Sequence, residues 1–151
     1  MSITLNKFLK SEGYSSIKLI FLETKHFLIE AKINGAKGRF ILDTGASNSC
    51  ICMSLENKFK VISKESKEKA SSANSEMTQT KISKSNTIQI GKWENKMNLI
   101  TFDMSHINNA LGKKQINPID GILGADILKK SKAILDYKSN KLYLKLWFYR
   151  F

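Results

Sequence analysis

Phe40-Ile41-Leu42-Asp43-Thr44-Gly45-Ala46-Ser47 carries the reading of this chain. Three apolar residues run into Asp-Thr-Gly, followed by a small residue and a hydroxyl. A strand that ends this way presents one carboxylate at the start of a tight turn. Gly45 lets the backbone reach angles that a side chain forbids. Thr44 and Ser47 offer hydroxyls to hold the loop and the carboxylate. By itself the triplet is a weak signal, because Asp and Gly are ordinary turn residues. It also occurs only once. Asp103, Asp120, Asp126 and Asp136 all lack a following Thr-Gly or Ser-Gly.

Working outward, Leu5, Phe8 and Leu9 share a face of a short helix over residues 4–12, with Gly13 as its stop. Apolar spacing predicts strands over 17–22 and 25–33. Asn34-Gly35 is a two-residue hairpin signal, and residues 39–42 return as the strand that delivers Asp43. Residues 49–53 read as a strand, and 54–59 as a helical turn capped by Ser54. Residues 60–87 are polar and lysine-rich, with Val61, Met77 and Ile82 as sparse apolar points. Small residues at 70–75 suit either a mobile hairpin tip or a solvated loop. Strands follow over 87–90 and 97–101, then a helical or irregular stretch over 103–111. Asp126 reads as the cap of a helix over 127–130, or as a partner for a lysine. Strands over 133–137 and 141–146 flank the turn Lys138-Ser139-Asn140. The aromatic tail Trp147–Phe151 serves either a second subunit or its own core. Short strands and frequent turns make the fold mainly β.

Length and composition set outer limits. The chain has 151 residues, enough for one domain with a real core. We divide it into an N-terminal helical extension, 1–16, and a main domain, 17–151. The formal charge is +12, but only Arg39 and Arg150 among 25 basic residues are arginine. Base readout favours clustered arginine forks, so a nucleic-acid-binding β domain is the weakest reading. Cys50 and Cys52 point to one face of an extended segment. A disulfide between them closes a strained ring, and zinc needs two further ligands where only His26 and His106 are on offer. They read as reduced thiols, with no metal site and no cofactor. His26 reads as a strand surface residue and His106 as a loop residue. The N-terminus lacks a secretory pattern, and no stretch approaches a membrane span, so a cytoplasmic protein without a membrane partner is expected.

A second motif lifts the first above chance. Gly121-Ile122-Leu123-Gly124-Ala125-Asp126 follows much later. Asp-Thr-Gly after apolar residues, then an apolar-apolar-Gly segment with a short helix behind it, resembles the retropepsin-like aspartic proteases. Residues 119–146 look like the C-terminal half of bacterial single-lobe aspartyl proteases, and the order of elements matches over about 25–146. The resemblance implies a closed β-barrel half-lobe with one short N-terminal and one short C-terminal helix. It implies Asp43 as the catalytic residue, with Thr44, Gly45, Ala46, Ser47, Ile122, Leu123 and Gly124 supporting its loop. Ser72, Ala73 and Asn74 would lie in a flap over the substrate, beside Asp120 and Ile122. Asp120 reads equally as a polar lip of the cleft or as a plain turn residue before Gly121.

The chemistry implied needs two carboxylates sharing one proton across a water molecule. With one loop per chain, a symmetric homodimer supplies the second Asp43. The resemblance gives Thr44 a hydrogen bond across that axis. The implied function is peptide-bond hydrolysis on a peptide or protein substrate. Its alternative is a peptide-binding or oligomerisation module with little turnover. Two positions depart from relatives of this kind. Ala46 stands where two-lobed pepsin-like enzymes place a hydroxyl, so the dyad should be less acidic and the optimum mildly acidic. Segment 69–80 lacks the glycines of retroviral flaps.

Overall fold

The computed structural model describes residues 2–65 and 80–147. Helix α1 (Leu5–Ser11) starts where Thr4 Oγ1 accepts the Lys7 N–H at 3.1 Å. It stops at Gly13, whose φ of +84° is left-handed. Of the predicted apolar face only Leu9 is buried, and Leu5 and Phe8 stay exposed.

The strand predicted over 17–22 is split between two sheets. β1 (Tyr14–Lys18) pairs with β11 (Lys141–Lys145), which also pairs with β10 (Ile134–Asp136). Leu19 then turns into the core and gives its N–H to the Asn140 carbonyl at 2.8 Å. After this break β2 (Ile20–Phe21) joins the larger sheet against β3 (Phe27–Ile33). Burying Leu19 between the two sheets interrupts what the apolar pattern alone reads as continuous. β1 begins at Tyr14, so sheet structure takes in the end of the 1–16 segment.

β3 and β4 (Ala36–Leu42) form the hairpin predicted from Asn34-Gly35, with φ of +50° and +86° at the turn. The Asn34 amide does more than turn the chain. Its Nδ2 donates to the Phe59 carbonyl at 2.8 Å, and its Oδ1 accepts the Thr87 N–H at 2.9 Å. That stitch fastens the hairpin tip to β7 (Lys81–Ile90), which also pairs with β3. β7 runs antiparallel to β8 (Trp93–Phe102), and β8 parallel to β5 (Cys50–Cys52). β9 (Gly121–Leu123) lies between β5 and β4. The order β3-β4-β9-β5-β8-β7 and back to β3 closes a barrel of six strands.

Closure leaves two apolar layers. Phe27, Ile29, Ile33, Phe40, Leu42, Ile51, Ile88, Ile90 and Leu99 point inward, at the period of two that strands impose. Each such side chain contributes about 1.5–3 kcal/mol on burial. On the outer face Leu28, Ile41, Cys50 and Cys52 are covered by Met104, Leu111 and Ile119. The cover is α2 (Ser105–Lys113) and its flanks, the helical alternative for this stretch. His106 therefore sits on a helix, not in a loop. Both thiols are free and buried on the same face. Ser54 lies inside a 3-10 turn at Met53–Leu55 instead of capping it, and its hydroxyl meets Cys52 Sγ at 3.2 Å. Trp147 is half-exposed under Lys132, whose Nζ stands 4.9 Å from the ring centre. Tail residues 148–151 lie outside the described residues.

Glycine positions distinguish close approach from free space. A Cβ on Gly121 would come within 2.1 Å of the Cys50 carbonyl oxygen, whereas one on Gly112 in α2 would meet nothing within 4 Å. Gly121→Ala should cost about 1–3 kcal/mol through overpacking. Gly112→Ala should add about 0.5–1 kcal/mol. Urea unfolding monitored by circular dichroism checks both signs.

Candidate active site

Asp43 leaves the barrel where β4 ends. β4 and β9 run parallel with Leu42 opposite Leu123, and the next N–H, that of Asp43, donates to the Leu123 carbonyl at 2.9 Å. The chain then turns. Gly45 N–H donates to Asp43 Oδ1 at 2.9 Å, and Ala46 N–H to the Asp43 carbonyl at 3.1 Å. The loop thus aims the carboxylate with its own backbone. Asp43 is half-buried, and Thr44, Gly45 and Ser47 are exposed.

Behind this loop runs the β9 segment. Ala125 N–H donates to the Ala46 carbonyl at 2.7 Å. Gly124 precedes α3 (Ala125–Lys130), and a Cβ there would stand 2.4 Å from the Ala46 oxygen. Only glycine lets the two backbones lie this close. Ile122 is half-buried and in register with Ile41, and Leu123 is fully buried. The structure therefore brings Asp43, Thr44, Gly45, Ala46, Ser47, Ile122, Leu123 and Gly124 into one assembly.

Ser49, which sequence reading missed, and Asp126, which it read in another role, complete it. Ser49 is fully buried. Its Oγ accepts the Gly124 N–H at 2.9 Å and donates to Asp126 Oδ1 at 2.6 Å. Its own N–H donates to Asp126 Oδ2 at 2.8 Å. Asp126 accepts the Ile127 N–H as well, at 2.8 Å. Its role is thus corrected: it lies in the first turn of α3 and grips Ser49, neither capping the helix nor, among the described residues, pairing with a lysine. A hydroxyl placed just before an apolar strand was the available signal for Ser49.

Cys50 follows Ser49 into the barrel wall. Burial pushes its thiol up to about 12, and the carboxylates of Asp126 and Asp43 push the same way. The thiol is neutral at physiological pH, so the site carries no thiolate beside its carboxylates. Among the described residues no group of three or more His, Cys, Asp or Glu gathers that could hold a metal ion.

Asp120 stands apart. Its N–H donates to the Arg39 carbonyl at 2.7 Å, and its Oδ2 accepts the Arg39 N–H at 2.9 Å. Arg39 lies four residues before Asp43 on β4, about 13 Å along an extended strand. Of the segment expected to form the flap, 69–80, only Thr80 is among the described residues. β6 (Ser63–Glu65) pairs antiparallel with the start of β7, Glu65 opposite Lys81. Ser72, Ala73 and Asn74 lie outside the described residues.

A family model described as aspartyl protease matches residues 29–127. That span holds Asp43–Ser47 and the Gly121–Asp126 crossing. No curated protein matches the chain. Among solved structures, a retropepsin-like aspartic protease from Rickettsia conorii superposes with a TM-score of 0.61 at 23% identity, covering 87% of this chain and 90% of that one. EIAV protease in complex with an inhibitor gives 0.57 at 21%, covering 78% and 98%. The retroviral protease-like domain of Ddi1 from Leishmania major gives 0.55 at 14%, covering 85% and 89%. At these identities the superpositions show a shared fold.

Ser49→Ala should leave the Gly124 N–H and the Asp126 carboxylate short of a buried partner, at a cost of about 1–3 kcal/mol. Chemical denaturation measures it. Cys50 gives a pH signature. The unfolded thiol ionises near its ordinary value of 9.0, whereas the folded one holds its proton to about 12. Above pH 9 the folded state binds more protons than the unfolded one, so stability should fall as pH rises through that window. Cys50→Ala should flatten this decline in denaturation midpoints measured across it.

Proposed function

The chain belongs to the aspartyl protease family, and from that premise we propose that two copies combine their Asp43 loops into one dyad that hydrolyses peptide bonds. Aspartic-type endopeptidase chemistry needs two carboxylates, and the chain carries a single Asp-Thr-Gly loop. One observation carries the reading. The loop is braced from behind by Gly124 and Ser49, yet presents Thr44 and Gly45 to solvent beside a half-buried carboxylate. A twofold axis next to this tip brings the two carboxylates together.

Two carboxylates this close cannot both ionise, so the pair holds one proton. The ionised member takes a proton from the water between them, and that water attacks the peptide carbonyl. The protonated member donates to the carbonyl oxygen and stabilises the tetrahedral intermediate. Thr44 hydroxyls stiffen the loops across the axis, and Gly45 admits water and substrate closely. No metal or organic cofactor takes part. The partners are a peptide or protein substrate and a second copy, not nucleic acid or membrane. Two free buried thiols suit a reducing compartment, the cytoplasm.

Incubation with a diverse peptide mixture, read by mass spectrometry, tests this. The native protein should generate new termini with a mildly acidic optimum, about pH 4–6. Asp43→Asn should generate none. Activity per subunit should fall on dilution, in step with dimer dissociation measured by sedimentation. Tight peptide binding with no cleavage at dimer-forming concentrations would establish the binding-module alternative instead.

A further inference from the structure

The β3–β4 hairpin, at its end remote from Asp43, borders a cleft of about 550 Å³. That volume falls in the range of small-molecule sites, about 300–1,000 Å³. Half-buried Ile17 contributes apolar surface, and Lys32, Lys37, Arg39 and Lys58 contribute four cations. Strand register dictates how these charges meet. Lys32 lies directly opposite Lys37, and Glu30 directly opposite Arg39. Lys32 also lies opposite Gln89 of β7. Directly opposed side chains share a face with Cβ atoms about 5 Å apart, and like charges so placed repel.

The cleft sets two acids, Glu30 and Asp120, against these four cations. Asp120 holds the Arg39 N–H and pairs with Lys58 at 3.4 Å. Glu30 faces Arg39 across the hairpin. Among the described residues Lys58–Asp120 is the sole ion pair, so neither Lys32 nor Lys37 stands within ion-pair distance of a carboxylate. Lys32 is half-buried, which removes part of the water that would screen it. A solvated surface lysine needs no partner. Two lysines opposed in register, at the wall of a concave site with apolar surface beside them, leave a specific deficit of negative charge.

We propose that this cleft binds a small organic anion whose phosphate or carboxylate oxygens bridge Lys32 and Lys37. The Gln89 amide supplies a neutral hydrogen bond, and the apolar part of the ligand rests on Ile17. The charge-assisted bonds supply orientation, and the opposed lysines lose their mutual repulsion on binding. The site is independent of the catalytic reading, since Arg39 already stands about 13 Å along β4 from Asp43.

Calorimetric titration and thermal melting of the full chain with ADP and with citrate, at constant ionic strength, test this. At least one of the two should bind with one-to-one stoichiometry and raise the melting temperature. ADP alone would assign phosphate chemistry, and citrate alone carboxylate chemistry. Lys37→Glu should weaken binding by about tenfold or more. Without ligand it should melt above the parent protein, because it sets opposite charges across the strand pair. Lys37→Gln should weaken binding less, and serves if the first variant does not fold. Lys113→Glu, the same charge change at the exposed end of α2, should leave affinity within about twofold. Absence of binding by both anions would overturn the proposal. So would equal weakening by Lys37→Glu and Lys113→Glu, which would mean general attraction to a basic chain.

Discussion

The crossing of two backbones behind Asp43 is the constraint on which the structure depends. Gly124 passes so near Ala46 that a methyl group would collide with its carbonyl oxygen. This closeness lets Ala125 N–H reach the Ala46 carbonyl at 2.7 Å and Gly124 N–H reach Ser49 Oγ at 2.9 Å. The loop is held from both ends, by Leu123 at its entry and by Ser49 and Asp126 at its exit. A carboxylate aimed by fixed N–H groups needs little reorganisation when charge develops beside it, which is how preorganised sites lower barriers.

The barrel exists to make that crossing possible. β9 can slip between β4 and β5 because the chain first goes around through β7 and β8. Closure is completed at the far end, where Asn34 ties the hairpin tip to Thr87 and Phe59. The inner layer then rests on alternate residues of long strands. The outer layer rests on α2, which covers Ile41 and both cysteines. The same outer cover keeps the Cys50 thiol dry and neutral next to Asp43 and Asp126.

Charge is distributed with a different logic. Asp43 and Asp126 work at the crossing, each satisfied by N–H or hydroxyl donors and neither by a lysine. Basic residues dominate the rest of the surface, as the +12 total requires. At the cleft beneath the hairpin they are opposed by register, not merely scattered, and there the excess acquires a location.

The sequence by itself determined the hairpin, the Asp43 loop and the segment that crosses behind it. Each of these rests on local chemistry: left-handed angles at Asn34-Gly35, a carboxylate before Gly45, and an apolar-apolar-Gly run ending at Gly124. A mainly β fold was legible too, from the spacing of turns. What only the tertiary structure decided involves partners distant in the chain. Leu19 breaks a continuous apolar pattern because two sheets meet around it. Asp126 reads locally as a cap, yet it holds Ser49, 77 residues away. Asp120 reads as a neighbour of the Asp43 loop, yet parallel pairing sets it beside Arg39, in the middle of β4. Local signals are written in backbone angles and short periodicities. Which side chains meet across the barrel depends on strand order and register, and these arise only when the whole core is buried at once.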